Sequence, residues 1–441
     1  MAARIRNWAS ALPDEAVTEI VRCLPCRTDR GKMAAVCQRW RINAQVFAQV
    51  LDRPPALPWL LIPTADSTRV HCFLSDYHVH HRFDEPPHGA RYFGSHDGAW
   101  LFVANDQAGN NELINLRNPD AGIRILPNQV VDNNGVVDNM VILAATLSAP
   151  PDDPNCVGAC IFTRGPDIIS RRRFAFWRMG SVIATDFRHD LEAPAVPGIG
   201  WLAAVVLEVE DVAFHGGAFH FLTLDENIFF CQPMPLDEDE NVPFVSQLNL
   251  IPLHGGDNYG GLVVTARYLV SSGVELLMVV RFANPQLMAS SFRVFWVIPG
   301  AQMNQADGGE DDVEEGGQDV GEDDEGEEVG DQDAEEDNLV EQADGHPWSW
   351  GELDTLGGRM LFVGRGCSRS YNVDQYPELK AGIYFFDDQS FYNEQMLFGD
   401  VNERQYPCDD NGKWLEGPPP VVQRCPPQNP SNHSPPAWLL P

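Results

Sequence analysis

The chain has 441 residues, 44% of them hydrophobic, which is enough to bury the cores of more than one folded unit. Its 64 acidic residues outnumber 30 Lys and Arg, and this net charge of −34 argues against a nucleic-acid partner, because phosphate binding needs clustered cations. No apolar run approaches the ~18 residues of a membrane-spanning helix, the first residues lack a signal-peptide core, and the ten cysteines are scattered, so we expect no membrane partner and a cytoplasmic or nuclear location.

The first 53 residues have the periodicity of short helices. Pro13 suits a first helical turn, Asp14 and Glu15 complement its positive end, and Pro25 ends the helix. Its apolar residues recur at spacings of three and four: Val17, Ile20, Val21 and Leu24. A second helix is predicted from a cap at Thr28 or Asp29, and its periodic residues are Met33, Val36, Cys37, Trp40, Ala44, Phe47, Ala48 and Leu51. We therefore predict a small all-α module over residues 1–53, with apolar residues that its own small core cannot cover.

From Leu57 onward the sequence changes to short apolar runs separated by Gly, Pro, Asn and Asp. These runs are mostly four to eight residues long and rich in β-branched or aromatic residues, as is typical of strands. The predicted strands are 100–104, 113–116, 140–147, 159–163, 174–178, 203–209, 218–223, 228–231, 261–268, 275–281, 292–297, 360–363 and 382–386. The pattern predicts an all-β domain over residues 57–415.

A weak repeat occurs three times in this domain. A glycine at 98, 217 or 358 is followed four residues later by Phe102, Phe221 or Phe362, and a second predicted strand comes after each. Such a unit suits the inner hairpin of a propeller blade, although hairpins of this kind also occur in β-sandwiches.

Two segments depart from the β pattern. Residues 307–344 hold 20 Asp and Glu and no Lys or Arg, so we predict a disordered acidic insert that extends by charge repulsion. This insert has the charge to bind a basic partner, although most charge runs are simply solvated. Residues 416–441 are proline-rich and are predicted to form an irregular tail, with Trp438 available to dock onto the β domain.

The N-terminal module resembles an F-box in the residues Leu12, Pro13, Asp14, Glu15, Ile20, Leu24, Asp29, Arg30, Val36, Cys37, Trp40 and Arg41. Most of the chain, apart from the acidic insert, is similar to a large plant F-box family whose C-terminal half is a propeller-like domain of unknown function. Blocks of that similarity lie at 57–60, 94–101, 113–119, 356–359, 364–371 and 435–438. The resemblance implies a multidomain protein: a small all-α F-box module followed by an all-β domain, a β-propeller of six or seven blades.

The resemblance also implies a function. An F-box docks onto the Skp-type adaptor of a Skp-cullin-F-box (SCF) ubiquitin ligase, which makes this chain a non-catalytic, cofactor-free subunit that selects a protein substrate for a cullin-RING ligase. The docking residues it implies, divided between the helical core and the adaptor interface, are Leu12, Pro13, Ile20, Leu24, Val36 and Trp40. Two alternatives stay open. One is a free-standing propeller, with a degenerate F-box, that binds or transforms a small molecule or glycan; the other is a scaffold that binds the adaptor but no cullin.

Four further motifs have ordinary structural interpretations. Cys23 and Cys26 have C-x-x-C spacing, but a zinc site needs a second pair nearby. The histidines 71, 78, 80, 81 and 88 cluster in sequence without identifiable further metal ligands. The segment 364–370 lacks the patterns of a nucleophile elbow or a P-loop and is predicted to be a tight turn. Arg171–Arg173 is predicted to be a strand edge rather than an anion site.

Overall fold

The described part of the helical module has three helices where two were predicted. A computed structural model describes residues 12–24, 26–50, 55–64, 67–72, 86–132, 134–165, 172–186, 208–234, 245–246, 249–251, 259–298, 349–376, 379–400 and 403–441. The helices are α1 Asp14–Cys23, α2 Arg27–Ala34 and α3 Gln38–Val50. No helix in these ranges is long and apolar enough to cross a membrane.

The predicted second helix, from Thr28 or Asp29 to Leu51, was wrong because the chain turns at 35–37. Met33 and Ala44 lie in one cluster with Val17 and Val21 of α1. In a single straight helix Met33 and Ala44 would be ~16 Å apart along the axis. The break brings both residues onto the same part of α1.

The secondary structure of the described residues from 55 onward is mainly β-strand. They are β1 Trp59–Pro63, β2 Thr68–His71, β3 Arg91–His96, β4 Trp100–Ala104, β5 Asn111–Asn115, β6 Arg124–Ile125, β7 Gln129–Val131, β8 Val137–Asn139, β9 Val141–Leu147, β10 Val157–Thr163, β11 Arg173–Arg178, β12 Ile183–Asp186, β13 Val209–His215, β14 Ala218–Thr223, β15 Ile228–Cys231, β16 Asn249–Ile251, β17 Val263–Ser272, β18 Glu275–Ala283, β19 Ala289–Ile298, β20 Ser349–Glu352, β21 Arg359–Phe362, β22 Arg369–Asn372, β23 Gly382–Phe385, β24 Gly412–Leu415, β25 Val421–Arg424 and β26 Ala437–Leu439. A short helix, α4 Glu394–Phe398, lies between β23 and β24.

The strands form six sheets, which are the blades of a six-bladed β-propeller. Six is one of the two predicted blade numbers. The strand orders are β2-β1-β26, β3-β4-β5-β6, β8-β7-β12-β11-β10-β9, β13-β14-β15-β16, β17-β18-β19-β20 and β22-β21-β23-β24-β25. Apolar side chains from neighbouring blades pack together, and Phe174 of β11, for example, stacks on Phe221 of β14 at 4.6 Å between ring centroids.

One strand of each blade lines the centre of the propeller. In the order β26, β3, β9, β13, β17 and β22, these inner strands each contact the next. The circle is completed by Trp438 of β26, whose ring lies 5.2 Å from that of Phe362 on β21 and whose Nε1 donates to the Val363 carbonyl at 2.8 Å.

The C-terminal residues belong to the propeller rather than to a separate tail. β25 and β26 both lie within 416–441, and β26 pairs with β1 through Trp59↔Leu439, Leu60↔Trp438 and Leu61↔Ala437. The predicted domain boundary at 415 therefore falls too early. The predicted acidic insert, 307–344, lies outside the described residues.

The predicted repeat coincides with strand starts. Gly98, Gly217 and Gly358 have φ angles of 83°, 81° and 77°, and each is followed within two residues by β4, β14 or β21. The first two glycines turn the chain out of inner strands, as predicted. In the sixth blade the order is reversed, because β21 precedes the inner strand β22 and pairs in parallel with β23.

Candidate functional site

The described side chains of the helical module form a small core. Val17 and Val21 of α1, Met33 of α2 and Ala44 of α3 are its buried apolar residues in the described part. Around them pack half-buried apolar side chains: Leu12, Ile20, Leu24, Ala34 and Trp40. Asp14 joins α1 to α3, because its Oδ1 accepts hydrogen bonds from Asn43 Nδ2 at 2.6 Å and Arg39 Nε at 2.7 Å. These two bonds, that of Asn43 first, lower the pKa of Asp14.

The structure divides the six predicted docking residues into two groups. Pro13 is exposed and Val36 is 53% exposed, in the turn between α2 and α3. The other four, Leu12, Ile20, Leu24 and Trp40, are half-buried against the core. Sequence reasoning missed Ile42, which is 48% exposed on α3 and lies on the side opposite to the periodic stripe that was used for the prediction.

A loop of the chain itself crosses the centre of the propeller. The loop 364–368, which we call the plug, connects β21 to β22 and turns tightly, as predicted: Cys367 N and Ser368 Oγ both donate to the Gly364 carbonyl at 3.0 Å. Gly366 N donates to Asp211 Oδ1 of β13 at 2.7 Å. A Cβ on Gly366 would lie 2.6 Å from the Ala145 carbonyl of β9, so only glycine fits there.

A buried charge network surrounds the plug. Arg365 is 4% exposed, donates to the Glu210 carbonyl at 2.9 Å, and lies 3.6 Å from carboxylate oxygens of Glu210 and Asp388. Its guanidinium stacks 4.2 Å from the ring centroid of Tyr392. Burial would lower the pKa of this guanidinium, but Tyr392 and the two carboxylates raise it above its usual value.

A second buried arginine connects the fifth and sixth blades. Arg281 of β18 donates to Asp388 Oδ1 at 3.0 Å and to Asp410 Oδ2 at 2.5 Å. Tyr268 of β17 donates to Asp388 as well, at 2.9 Å. Burial raises the pKa of nearby Asp387 to about 7, against the opposing effects of the Asp410 N–H and of Arg281. Both arginines are paired with carboxylates of the chain, while Arg281 Nε, Arg365 Nε and Asp387 Oδ1 are buried without a hydrogen-bond partner among the described residues.

The segment between β23 and β24 covers one end of the centre. This cap, defined as 386–400 and 403–411, reaches from the sixth blade to β13, where Tyr392 Oη donates to the Glu210 carbonyl at 2.5 Å. It also reaches the second blade, where Tyr406 Oη lies 3.3 Å from Gln107 Oε1. Plug and cap together occupy the axial position in which a propeller would otherwise have a channel.

The cysteine and histidine motifs form no metal site in the described residues. Cys26 is buried, and the side chain of Cys23 lies outside the described part. His71 is buried at the end of β2, and His88 contacts His433 edge to face. Residues 78, 80 and 81 also lie outside the described part, within which no group of three or more His, Cys, Asp or Glu side chains is arranged to hold a metal ion.

The arginine run is engaged in ion pairs. Arg172 Nε lies 2.6 Å from Glu208 Oε1, and Arg173 Nη2 lies 2.6 Å from Asp186 Oδ2 at the start of β11. Position 171 lies outside the described residues. The two described arginines therefore serve packing and pairing between neighbouring strands.

Comparison with known proteins identifies the propeller. Residues 71–406 match the family model described as the KIB1-4 beta-propeller. No curated protein gave a significant match. One solved structure with some similarity is the crystal structure of BBS1N in complex with ARL6DN, soaked with mercury, at a TM-score of 0.25 and 12% sequence identity; the alignment covers 55% of this chain and 66% of that one, just under two thirds. This similarity is too weak to support any conclusion. The family match covers most of the chain and agrees with the six blades described above, and the protein therefore belongs to the KIB1-4 beta-propeller family.

Proposed function

We propose that this protein is the substrate-recognition subunit of an SCF ubiquitin ligase. The helical module docks onto the Skp-type adaptor, the adaptor connects it to the cullin-RING ligase, and the propeller binds the target protein. The subunit performs no chemistry itself. It raises the effective concentration of the target's lysines at the ubiquitin-loaded enzyme.

The observation that carries this proposal is that apolar side chains are exposed on a helical module whose described core is small. Among the described side chains of the module, four are buried in its own core, while Pro13, Val36 and Ile42 are exposed. Exposed apolar groups on so small a module lower its solubility unless another protein covers them. An adaptor surface that buries these side chains would stabilise the module and gain affinity from the same contact.

Within the described residues, no contact favours the small-molecule or glycan alternative. Ligands of propellers commonly bind near the axis, and here the plug and the cap lie in that position, bonded to β13 through Gly366 N and Tyr392 Oη. The outer loops of the blades remain as the surface for a protein target.

Adaptor capture tests the proposal. We expect purified wild-type chain to capture a Skp-type adaptor, and the double variant Pro13→Asp/Val36→Asp to lose capture by at least tenfold. Both positions are exposed, so the core is left intact. Aspartate at position 13, the N-cap of α1, also favours the helix, so loss of capture would report the lost apolar surface.

The matched control is Val274→Asp, at a hairpin tip of the propeller where the valine is 96% exposed. It places the same charge on the same exposed residue type, away from the module. A wild-type chain that captures no adaptor, or a double variant that captures as well as Val274→Asp, contradicts the proposal. Capture of the adaptor without co-purifying cullin would instead indicate a ligase-independent scaffold.

A further inference from the structure

The helical module contacts the propeller away from the point where the chain joins them. Cys26, the residue before α2, is 3% exposed and belongs to the apolar cluster of the first and second blades, which includes Trp59 and Leu61 of β1 and Leu101 of β4. A residue of the helical module is thus part of the propeller's core.

A second contact lies at the chain connection. Tyr376, between β22 and β23 of the sixth blade, donates from its Oη to the carbonyl of Pro55 at 2.6 Å. The Arg30 guanidinium, one turn into α2, is close enough to oppose the burial that raises the pKa of the Tyr376 hydroxyl. The two contacts are thus made by the residue that precedes α2 and by the segment that leads into β1.

Two points of attachment have a mechanical consequence. A module held only through the chain at Pro55 would pivot, as units with small interfaces generally do. Cys26 lies 29 residues earlier in the sequence, and its burial in the propeller removes that freedom.

We propose that the burial of Cys26 in the blade cluster, together with the Tyr376–Pro55 hydrogen bond, fixes the helical module and the propeller as one rigid unit. This inference rests on the proposed function. Under that function, a target bound to the propeller is held at a set position relative to the adaptor. A fixed span of suitable length gives a higher effective concentration than a flexible one.

The test is the distance distribution between the two units in the full chain. Fluorophores are introduced through unnatural amino acids at positions 15 and 274, both exposed, and single-molecule energy transfer is recorded without any partner. We expect one narrow population for the otherwise unchanged chain. In Cys26→Asp we expect the distribution to broaden at least twofold, because a carboxylate is expelled from an apolar cluster.

Cys37→Asp is the matched control. Both cysteines immediately precede a helix, and each carbonyl accepts the first helical hydrogen bond, from Arg30 N at 3.1 Å or Arg41 N at 3.0 Å. Aspartate favours helix formation at both positions, but Cys37 is half-exposed and outside the blade cluster. We expect its distribution to remain narrow.

Tyr376→Phe provides a second variant, which removes the hydrogen bond to Pro55 and leaves Cys26 in place. We expect a smaller broadening. If circular dichroism shows that Cys26→Asp has lost helix, Tyr376→Phe alone decides. A broad distribution in the unchanged chain, or a width unaffected in the deciding variants, overturns the proposal. Adaptor capture, measured separately, can fail without changing these distances, so failure of the proposed function remains distinguishable.

Discussion

Arg281 shows how a single residue can hold two blades of this propeller together. It is fully buried and donates to Asp388, Asp410 and the Phe386 carbonyl, all contributed by the sixth blade or its cap. A buried ion pair contributes little net stability when it forms, since desolvation offsets the attraction. Removal of Arg281 alone is destabilising, because the carboxylates that remain are left buried without their cation.

We predict that Arg281→Met lowers the free energy of unfolding by about 4 kcal/mol, as is typical when one partner of a buried pair is lost. Chemical denaturation measures this change. Arg293→Met is the control, because Arg293 lies 3.5 Å from Glu352 in a pair that is more than a third exposed on both sides. Exposed pairs contribute less than about 1 kcal/mol. Equal shifts for the two variants would contradict the stabilising role of the Arg281 network.

At the scale of an element, the stability of the plug also depends on a close contact with a distant part of the chain. Its backbone passes so close to β9 that residue 366 has no space for a side chain, and Gly366 has a φ of +72°. Two separate restrictions therefore apply to one position: a left-handed backbone and contact with the Ala145 carbonyl.

Gly366→Ala and Gly273→Ala separate these restrictions. Gly273 has a φ of +63° at a hairpin tip and no neighbouring atom within 4 Å of an added Cβ. We predict a loss of about 1 kcal/mol for Gly273→Ala from the backbone alone, and a further ~2 kcal/mol for Gly366→Ala from overpacking. Thermal unfolding of the two variants measures the difference. Similar midpoint temperatures would show that the plug moves readily to make room for the added methyl group.

Sequence patterns predicted the elements well where apolar residues alone decide them. Strands 100–104, 218–223 and 228–231 were predicted with the observed bounds, because each is a short run of buried apolar residues between turns. The predicted strand 203–209 meets β13 only at Val209, where β13 begins, and its residues 203–207 lie outside the described part of the chain. Glu210 and Asp211 make that strand look polar, yet both are buried because they bind the plug and the backbone of β17.

The candidate site was less predictable, because it too depends on partners that are distant in sequence. The turn at 364–368 could be predicted from its glycines, but its place at the centre depends on partners in β9 and β13, far away in sequence. The exposure of apolar side chains on the helical module likewise depends on the break between α2 and α3 at 35–37, which leaves Val36 outside the core. Neither property is encoded in local periodicity.

At the scale of the whole molecule, the propeller is closed by its two ends. β26 comes from the C-terminus and pairs with β1, so the first blade contains strands from both ends of the domain. β26 covers the inner edge of β1, and its large Trp438 side chain is buried between the first and sixth blades, against Phe362 and Phe386. The stability of all six blades should therefore depend on three C-terminal residues.

We predict that Trp438→Ala lowers the free energy of unfolding by about 4 kcal/mol, because it leaves a cavity between blades and removes the hydrogen bond to Val363. Val421→Ser is the control, on the outer strand β25, where the valine is 46% exposed and its loss should cost less than about 0.5 kcal/mol. Calorimetry of the full chain measures the unfolding of both variants. If closure couples the blades, Trp438→Ala shifts the unfolding of the entire propeller to lower temperature as one transition. A separate early transition, with the main one unmoved, would show instead that the first blade opens independently and that the other five do not need it.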